Sequence, residues 1–287
     1  MRIILAGAFG HLGGELLRSL VEGGHEVVAV GRQERPVDGV SREAYAAAER
    51  DVTDGASLKG LCDGADAVIS TVGLTRAAAG ISHYDVDYRG NLNLLEEAKG
   101  AGVKKFIYIS VIHADQAPGV PMVHAKFLME EALKKSGVPS IIYRPTGFFY
   151  DIVKVFRPMI EAGKVTLLGK KPIRANVVDT RDFADYITAH LGDAGEVVDV
   201  GGQETWTYEE IARMCFAAAG VEPRIKTAPP WLFDMLAGLP KNKRNGKRAV
   251  ILFSKWTLSQ DMVAGTKVGE RSFKAYIDES FRDMRGE

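Results

Sequence analysis

Ile3-Ile4-Leu5-Ala6-Gly7-Ala8-Phe9-Gly10-His11-Leu12-Gly13 is an apolar run that ends in three spaced glycines. Leu12, Leu16, Leu17, Leu20 and Val21 then recur at helical spacing until Gly23-Gly24. A strand therefore passes directly into a helix through a turn almost bare of side chains. A sharp turn of this kind needs a residue without Cβ. A phosphate can approach backbone where side chains are absent, and a helix N-terminus offers it N–H groups and partial positive charge. The spacing is GxxGxxG.

Working outward, the same strand–helix rhythm repeats. Val27-Val28-Ala29-Val30, Asp66-Ala67-Val68-Ile69-Ser70, Phe106-Ile107-Tyr108-Ile109-Ser110 and Ser140-Ile141-Ile142-Tyr143-Arg144-Pro145 read as buried strands. Leu92, Leu94, Leu95 and Ala98 mark one intervening helix, and Ala125, Leu128, Met129, Ala132 and Leu133 another. Continuous apolar strands between amphipathic helices imply an α/β fold, a doubly wound parallel sheet of Rossmann type. The rhythm loosens after Pro145. Asn176-Val177-Val178 reads as a strand, 179–190 as a helix, Glu196-Val197-Val198-Asp199-Val200 as a strand, and Thr207 with Glu210 as a capping box. The expected organisation is a dinucleotide-binding domain over 1–150 and a smaller substrate-side lobe over 151–287, partly integrated with it.

The second strand bears on which dinucleotide is held. An acidic residue about 20 residues beyond the glycines would favour NAD by bonding the adenosine ribose. Here Val30 is followed by Gly31 and Arg32, with Arg35 nearby. Arginine pairs with a 2′-phosphate, so NADP(H) is favoured over NAD(H).

These residues resemble the short-chain dehydrogenase/reductase superfamily in its extended or atypical branch. The resemblance rests on Gly7, Gly10 and Gly13, on Asp51-Val52, on Ser70-Thr71-Val72-Gly73, on Asn91-Leu92-Asn93-Leu94-Leu95, and on the run from Ala101 to Ser110. It covers about the first 150 residues well. It implies that Gly7, Phe9, Gly10, His11, Leu12 and Gly13 surround the pyrophosphate, that Asp51 and Val52 lie against the adenine, and that Ser70, Thr71, Val72 and Gly73 line the path from ribose to pyrophosphate. Ser110 matches the family's active-site serine or threonine. Lys126 matches its lysine, which touches the nicotinamide ribose, and Pro145, Thr146, Gly147 and Phe148 would border the nicotinamide.

One departure stands out. The family's catalytic pair is Tyr-x-x-x-Lys, and four residues before Lys126 stands Met122, which transfers no proton. The family's lysine lowers the tyrosine pKa, and that device is missing. The isoflavone-reductase-like, NmrA-like and divinyl chlorophyllide reductase-like groups also lack the tyrosine, and Phe253 to Val263 looks most like the last of these. The expectation is an NADPH-dependent reductase acting on a small conjugated C=C or C=O. Lys126, Ser110 and Tyr150 are its candidate catalytic residues, with His113 and His124 as further proton donors. The alternatives are a non-catalytic dinucleotide sensor or accessory subunit and, less favoured, a sugar-nucleotide epimerase. Asn91 reads as structural.

Composition sets the outer bounds. The 287 residues are 46% hydrophobic, with 37 basic and 37 acidic side chains, a balance that points to neither nucleic acid nor an acidic membrane as a general partner. Cys62 and Cys215 make no disulfide framework. No cluster of His, Cys, Asp or Glu has metal-ligand spacing, and no apolar run is long enough to span a membrane. The expected location is the cytoplasm. The basic stretch from Lys241 to Arg248, flanked by apolar helix faces, reads as a solvated loop, with a membrane-surface or partner contact as its alternative.

Overall fold

A computed structural model describes residues 1–74, 80–193, 195, 197–240 and 247–285. Its main sheet has eight strands: β1 (Arg2–Ala6), β2 (Glu26–Gly31), β3 (Ala46–Glu49), β4 (Ala67–Ser70), β5 (Lys105–Ile109), β6 (Ser140–Pro145), β9 (Val197–Gly201) and β12 (Thr266–Lys267). Their spatial order is β12-β9-β6-β5-β4-β1-β2-β3. From β1 the chain runs outward through β2 to β3, then returns to place β4 on the other side of β1. Open α/β sheets hold ligands beyond the carboxyl ends of their strands at such a reversal. The expected Rossmann sheet is therefore the observed one.

The chain forms two compact units, Met1–Arg144 with Phe183–Val198, and Pro145–Asp182 with Asp199–Glu287. The single cut at 150 drawn from the sequence does not follow them. Helix α5 (Thr180–Ala189) carries the chain back to the first unit. There Phe183 meets Tyr143 edge-on at 5.9 Å and Asp185 takes a 2.9 Å hydrogen bond from Arg18.

In the first unit, α1 (His11–Glu22), α2 (Asn91–Gly100) and α3 (Pro121–Lys135) cover the strands. Ile4, Val28, Val68, Phe106 and Ile142 from the strands pack with Leu94, Leu95, Met129 and Leu133 from the helices. A π-helical turn over Tyr84–Gly90 precedes α2, which no periodicity in the sequence announced.

The second unit contains α4 (Phe149–Glu161), β7 (Val165–Leu168), β8 (Arg174–Ala175), β10 (Trp206–Thr207), α6 (Tyr208–Ala218), β11 (Ile225–Ala228), α7 (Pro230–Gly238), α8 (Lys247–Thr257) and α9 (Phe273–Ser280). Phe149 stacks on Phe273 with centroids 4.7 Å apart, and Val153, Phe156, Ile211, Phe216 and Ile277 are buried with them. The capping box opens α6 as read: the Glu210 N–H donates to Thr207 Oγ1 at 3.2 Å and the Thr207 N–H to Glu210 Oε2 at 2.7 Å. The strand expected at 176–178 is not one. Its groups make single bridges and turn bonds, with Val178 bridged to Phe148 and the Val178 N–H donating to the Gly147 carbonyl. Lys241, Lys243 and Arg244 of the basic stretch lie outside the described residues, as does Glu196.

Candidate functional site: a glycine turn and an Asp–Lys pair

The glycine turn is pinned on both sides. Gly7 has φ +82°, and the N–H groups of Gly7 and Ala8 both donate to the Val30 carbonyl, at 2.9 and 3.2 Å. The Gly10 N–H bonds back to the Gly7 carbonyl at 3.0 Å. A Cβ on Gly13 would stand 2.0 Å from that same carbonyl oxygen, so α1 comes this close to the turn only because residue 13 is glycine. Thr71 holds the far side, its hydroxyl within 3.1 and 3.2 Å of the Ala6 and Gly7 carbonyls. Gly10 is the N-cap of α1 and supplies no side-chain acceptor, and the first turn has no acidic residue. Helix α6, by contrast, closes its own N-terminus with Thr207. A first turn leaves N–H groups without intrahelical partners, so this one suits an anion. The same chemistry would accept a pyrophosphate at the turn. Phe9, His11 and Leu12 border it, with His11 exposed and Phe9 and Leu12 half-buried.

At the end of β2, Arg32 and Arg35 are exposed. The backbone N–H of Arg50 donates to the Gly31 carbonyl at 2.9 Å, which brings a further arginine to the same strand end. Asp51 is half-buried and folds its carboxylate onto Thr53, accepting from the backbone N–H at 2.9 Å and the hydroxyl at 2.8 Å. Val52 is buried, and its carbonyl accepts from Asn93 at 2.9 Å.

Beyond β4 the residues divide. Ser70 is fully buried and donates to Asn91 Oδ1 at 2.5 Å, so its side chain braces the strand end and does not line a path to a ligand. Asn91 is structural as expected, its amide donating to the carbonyls of Val72, Val86 and Asp87. Val72 and Gly73 are half-buried. A Cβ on Gly73 would lie 3.0 Å from Asp87 Oδ1 and 3.4 Å from Lys126 Nζ.

Those two side chains form an ion pair between a half-buried lysine and a buried carboxylate, with Lys126 Nζ 3.6 Å from Asp87 Oδ1. Lys126 Nζ also donates to the Ile109 carbonyl at 3.1 Å and lies 5.4 Å from the centre of the Tyr108 ring. Asp87 Oδ2 accepts from the Leu74 N–H at 3.0 Å and faces His83 Nδ1 at 3.2 Å. His83 is buried and its Nε2 has no hydrogen-bond partner. The fully buried Tyr108 phenol is pushed well above its ordinary pKa by burial and by the Asp87 and Glu130 charges, so it stays protonated. Asp87 and His83 were not read from the sequence. Asp87 lies on the π-helical turn and His83 caps its start, a geometry that often marks functional segments but that the sequence did not announce.

Ser110 is placed differently from its expected role. It lies just past β5, buried, with its hydroxyl donating to the fully buried Glu130 carboxylate. Glu130 is in turn forked by Arg144, whose Nε reaches Oε1 at 2.9 Å and whose Nη2 reaches Oε2 at 2.5 Å. Arg144 Nη1 continues to Asp115 at 3.2 Å. A buried carboxylate must be surrounded by donors, and the Ser110 hydroxyl is one of them. Arg144 inside an otherwise apolar strand was the sequence signal for this network.

His124 faces the Tyr84 hydroxyl at 3.1 Å, and His113 holds a left-handed backbone at φ +56°. In the second unit, Pro145 and Thr146 are buried. The Thr146 hydroxyl donates to the Asn176 carbonyl at 2.8 Å, and Gly147 and Phe148 are half-buried beside it. Asn176, also missed from the sequence, ties Gly202 and Ala264 together through its amide. Tyr150 is half-buried on α4, with Lys154 Nζ 3.3 Å from its hydroxyl. Thus the glycines gather with Thr71, and Gly73 with Asp87 and Lys126, whereas Ser70 and Ser110 turn inward. Cys62 and Cys215 are buried thiols whose pKa is raised to about 12 by burial.

Comparison with known proteins agrees with this geometry. Residues 7–194 match the model of a family described as NAD(P)H-binding. The chain is 27% identical to the photosystem II assembly factor Ycf39 of Synechocystis sp. over 232 residues, 80% of this chain and 71% of that protein. It is 30% identical to the chloroplastic divinyl chlorophyllide a 8-vinyl-reductase of Zea mays over 268 residues, 83% of this chain but only 65% of that one. In fold it is similar to the NADPH-dependent quinone oxidoreductase QOR2 of Escherichia coli, solved with NADPH, with a TM-score of 0.74, 19% identity, and coverage of 98% of this chain and 100% of that one. With the match spanning the glycine turn, the Asp87–Lys126 pair and Glu130 alike, the chain belongs to the NAD(P)H-binding family and has a photosystem assembly factor and a reductase among its homologues.

Proposed function

We propose that the protein is an NADPH-dependent reductase of a small organic acceptor with a conjugated C=C or C=O. The observation that carries this reading is the pairing of a helix N-terminus that has no side-chain cap with a half-buried lysine held by the buried Asp87. Gly7, Gly10, Gly13 and the first turn of α1 hold the pyrophosphate. Arg32, with Arg50 beside it, takes the 2′-phosphate and sets the preference for NADP(H) over NAD(H). When bound, the reduced nicotinamide supplies a hydride. Lys126 has three N–H donors; the Ile109 carbonyl takes one and Asp87 faces the ammonium, which leaves capacity for a ribose hydroxyl or the acceptor. Pro145, Thr146, Gly147 and Phe148 border the nicotinamide in this reading, and Tyr150 is the phenol available to replace the one absent at Met122.

The homologous vinyl reductase and the quinone oxidoreductase of similar fold are in keeping with a conjugated acceptor, though neither name carries over to this chain. A second reading, a dinucleotide-binding sensor or assembly factor without turnover, is favoured by Met122 and by the closure of Ser110 onto Glu130. Incubating the protein with NADPH and a panel of enones, quinones and aldehydes, and following cofactor absorbance, separates the two. Oxidation of NADPH with any of these acceptors supports the reductase. Tight binding of NADPH with no oxidation across the panel favours the sensor. No heat of binding with either coenzyme in calorimetry removes both.

A further inference from the structure

We infer that His83 is the positioning residue of the Lys126 ammonium: acting through Asp87, it fixes where that charge stands for the ribose of a bound dinucleotide. The inference rests on the reading of Lys126 as the residue that meets this ribose, which the reductase and the sensor share. His83 stands at the start of the π-helical turn and is 4% exposed. Its Nδ1 lies 3.2 Å from Asp87 Oδ2. An ionised carboxylate only accepts hydrogen bonds, so Nδ1 carries the proton and is the donor. The Leu74 N–H reaches the same oxygen at 3.0 Å. Both donors therefore converge on Oδ2. Oδ1 is buried without a hydrogen-bond partner and faces Lys126 Nζ at 3.6 Å, a separation that makes an ion pair but not a hydrogen bond. Coulomb attraction has no preferred angle. The rotation of the Asp87 carboxylate, set at Oδ2, thus decides where the Oδ1 charge rests and where the ammonium follows it.

Packing alone would not select an imidazole here. Nε2 of His83 is buried and has no hydrogen-bond partner. A buried polar atom left unpaired carries a cost that a leucine in the same space would not. What the ring offers in return is the Nδ1 donor. The other polar groups close by do not duplicate it. The Asn91 amide and the Tyr108 hydroxyl, at 3.0 and 3.4 Å, bond the main-chain carbonyl of Asp87 and not its carboxylate. A Cβ at position 73 would stand 3.0 Å from Oδ1 and press on it, so Gly73 leaves the orientation of the carboxylate to His83 and Leu74. His83, Asp87, Lys126 and the glycine turn all belong to the first compact unit.

The test is the affinity of the full chain and its variants for NADPH, measured by calorimetry, with circular dichroism as the check of folding. Asparagine places an amide nitrogen where Nδ1 stands, so His83→Asn keeps the donor and loses volume. His83→Leu keeps the volume and loses the donor. His83→Leu should weaken NADPH binding about fivefold, in line with the loss of one hydrogen bond, and His83→Asn should stay within about twofold of the wild type. A role in core packing predicts the reverse order. In a Lys126→Met background, His83→Leu should bring no further weakening, because the lysine through which it acts is gone. The proposal is overturned if His83→Leu binds as tightly as the wild type, if His83→Asn binds as weakly as His83→Leu, or if the loss adds in full to that of Lys126→Met. Should the double variant fail to fold, the order of the two single variants decides. No heat of binding from the wild type removes the reading of Lys126 itself and this proposal with it, an outcome distinct from a wild type that binds and a His83→Leu variant that binds equally well.

Discussion

Met122 stands where the related enzymes place a tyrosine, and the surroundings of Lys126 show how the lysine is held without it. In place of a phenol partner on its own helix, Lys126 faces a carboxylate from the π-helical turn. Asp87 is buried while Lys126 is half-buried, and removing the partner of a buried charge costs about 3–5 kcal/mol because that charge is left uncompensated. Lys126→Met should therefore lower stability by about 3 kcal/mol in urea unfolding. Adding Asp87→Asn should recover at least half of that, since asparagine keeps an acceptor for the Leu74 N–H and carries no charge. Lack of recovery would show that Lys126 acts through packing alone. Arg32 makes a different residue-level claim. It is exposed, so solvent screens its charge, and Arg32→Ala should weaken NADPH binding by only about tenfold while leaving NADH binding unchanged. Equal loss for both coenzymes in calorimetry removes Arg32 from the 2′-phosphate site. The glycine turn was legible from the sequence, because its spacing between a strand and a helix is a local pattern that physics restricts, whereas Lys126 entered only through the family resemblance. Glu130 and Asn176 were not, because their partners are distant in the chain: Glu130 meets Ser110 and Arg144, and Asn176 meets Ala264. Asp87 was not, because its lysine is 39 residues away and its turn is π-helical.

At the scale of elements, periodicity located most of the strands and helices of the first unit and failed at two kinds of place. One is the segment from Tyr84 to Gly90, where a π-helical register breaks the 3.6-residue repeat. The other is 176–178, where Asn176-Val177-Val178 serves as a bridge tied to Thr146, Gly147 and Phe148, not as a strand. Local chemistry did better where it acts within one turn, as in the capping box of α6. Thr207→Ala should cost about 1 kcal/mol of stability. Hydrogen bonds from Thr207 hold the Glu210 carboxyl below its ordinary pKa. A lowered carboxylate pKa contributes stability above the unfolded value and loses it as pH falls through the folded one. The difference between wild type and Thr207→Ala in urea midpoint should accordingly be largest near neutral pH and shrink in acid. A difference that stays constant through that range would assign the effect to helix propensity alone.

For the whole molecule, the fold class was readable because a parallel sheet covered on both faces writes its strands as continuous apolar runs. The division into units was not readable, since α5 begins in one and continues in the other, a fact of tertiary packing around Tyr143, Phe183 and Arg18. The glycine turn joins the strand reversal of the sheet to α1, so binding there should be felt by the unit that carries it. A ligand that binds only the folded state at about 100 times its Kd adds about 2.7 kcal/mol. For chains of roughly this size each kcal/mol corresponds to about 2–4 °C. Saturating NADPH should raise the melting temperature by about 5 °C or more, and NADH at the same concentration should raise it less. Gly13→Ala places a methyl group where only 2.0 Å separates it from the Gly7 carbonyl, so either α1 or the turn must move. That variant should melt below the wild type without cofactor and show little or no further rise with NADPH. A Gly13→Ala protein that still gains the full increment would mean that the dinucleotide is held elsewhere than at this turn.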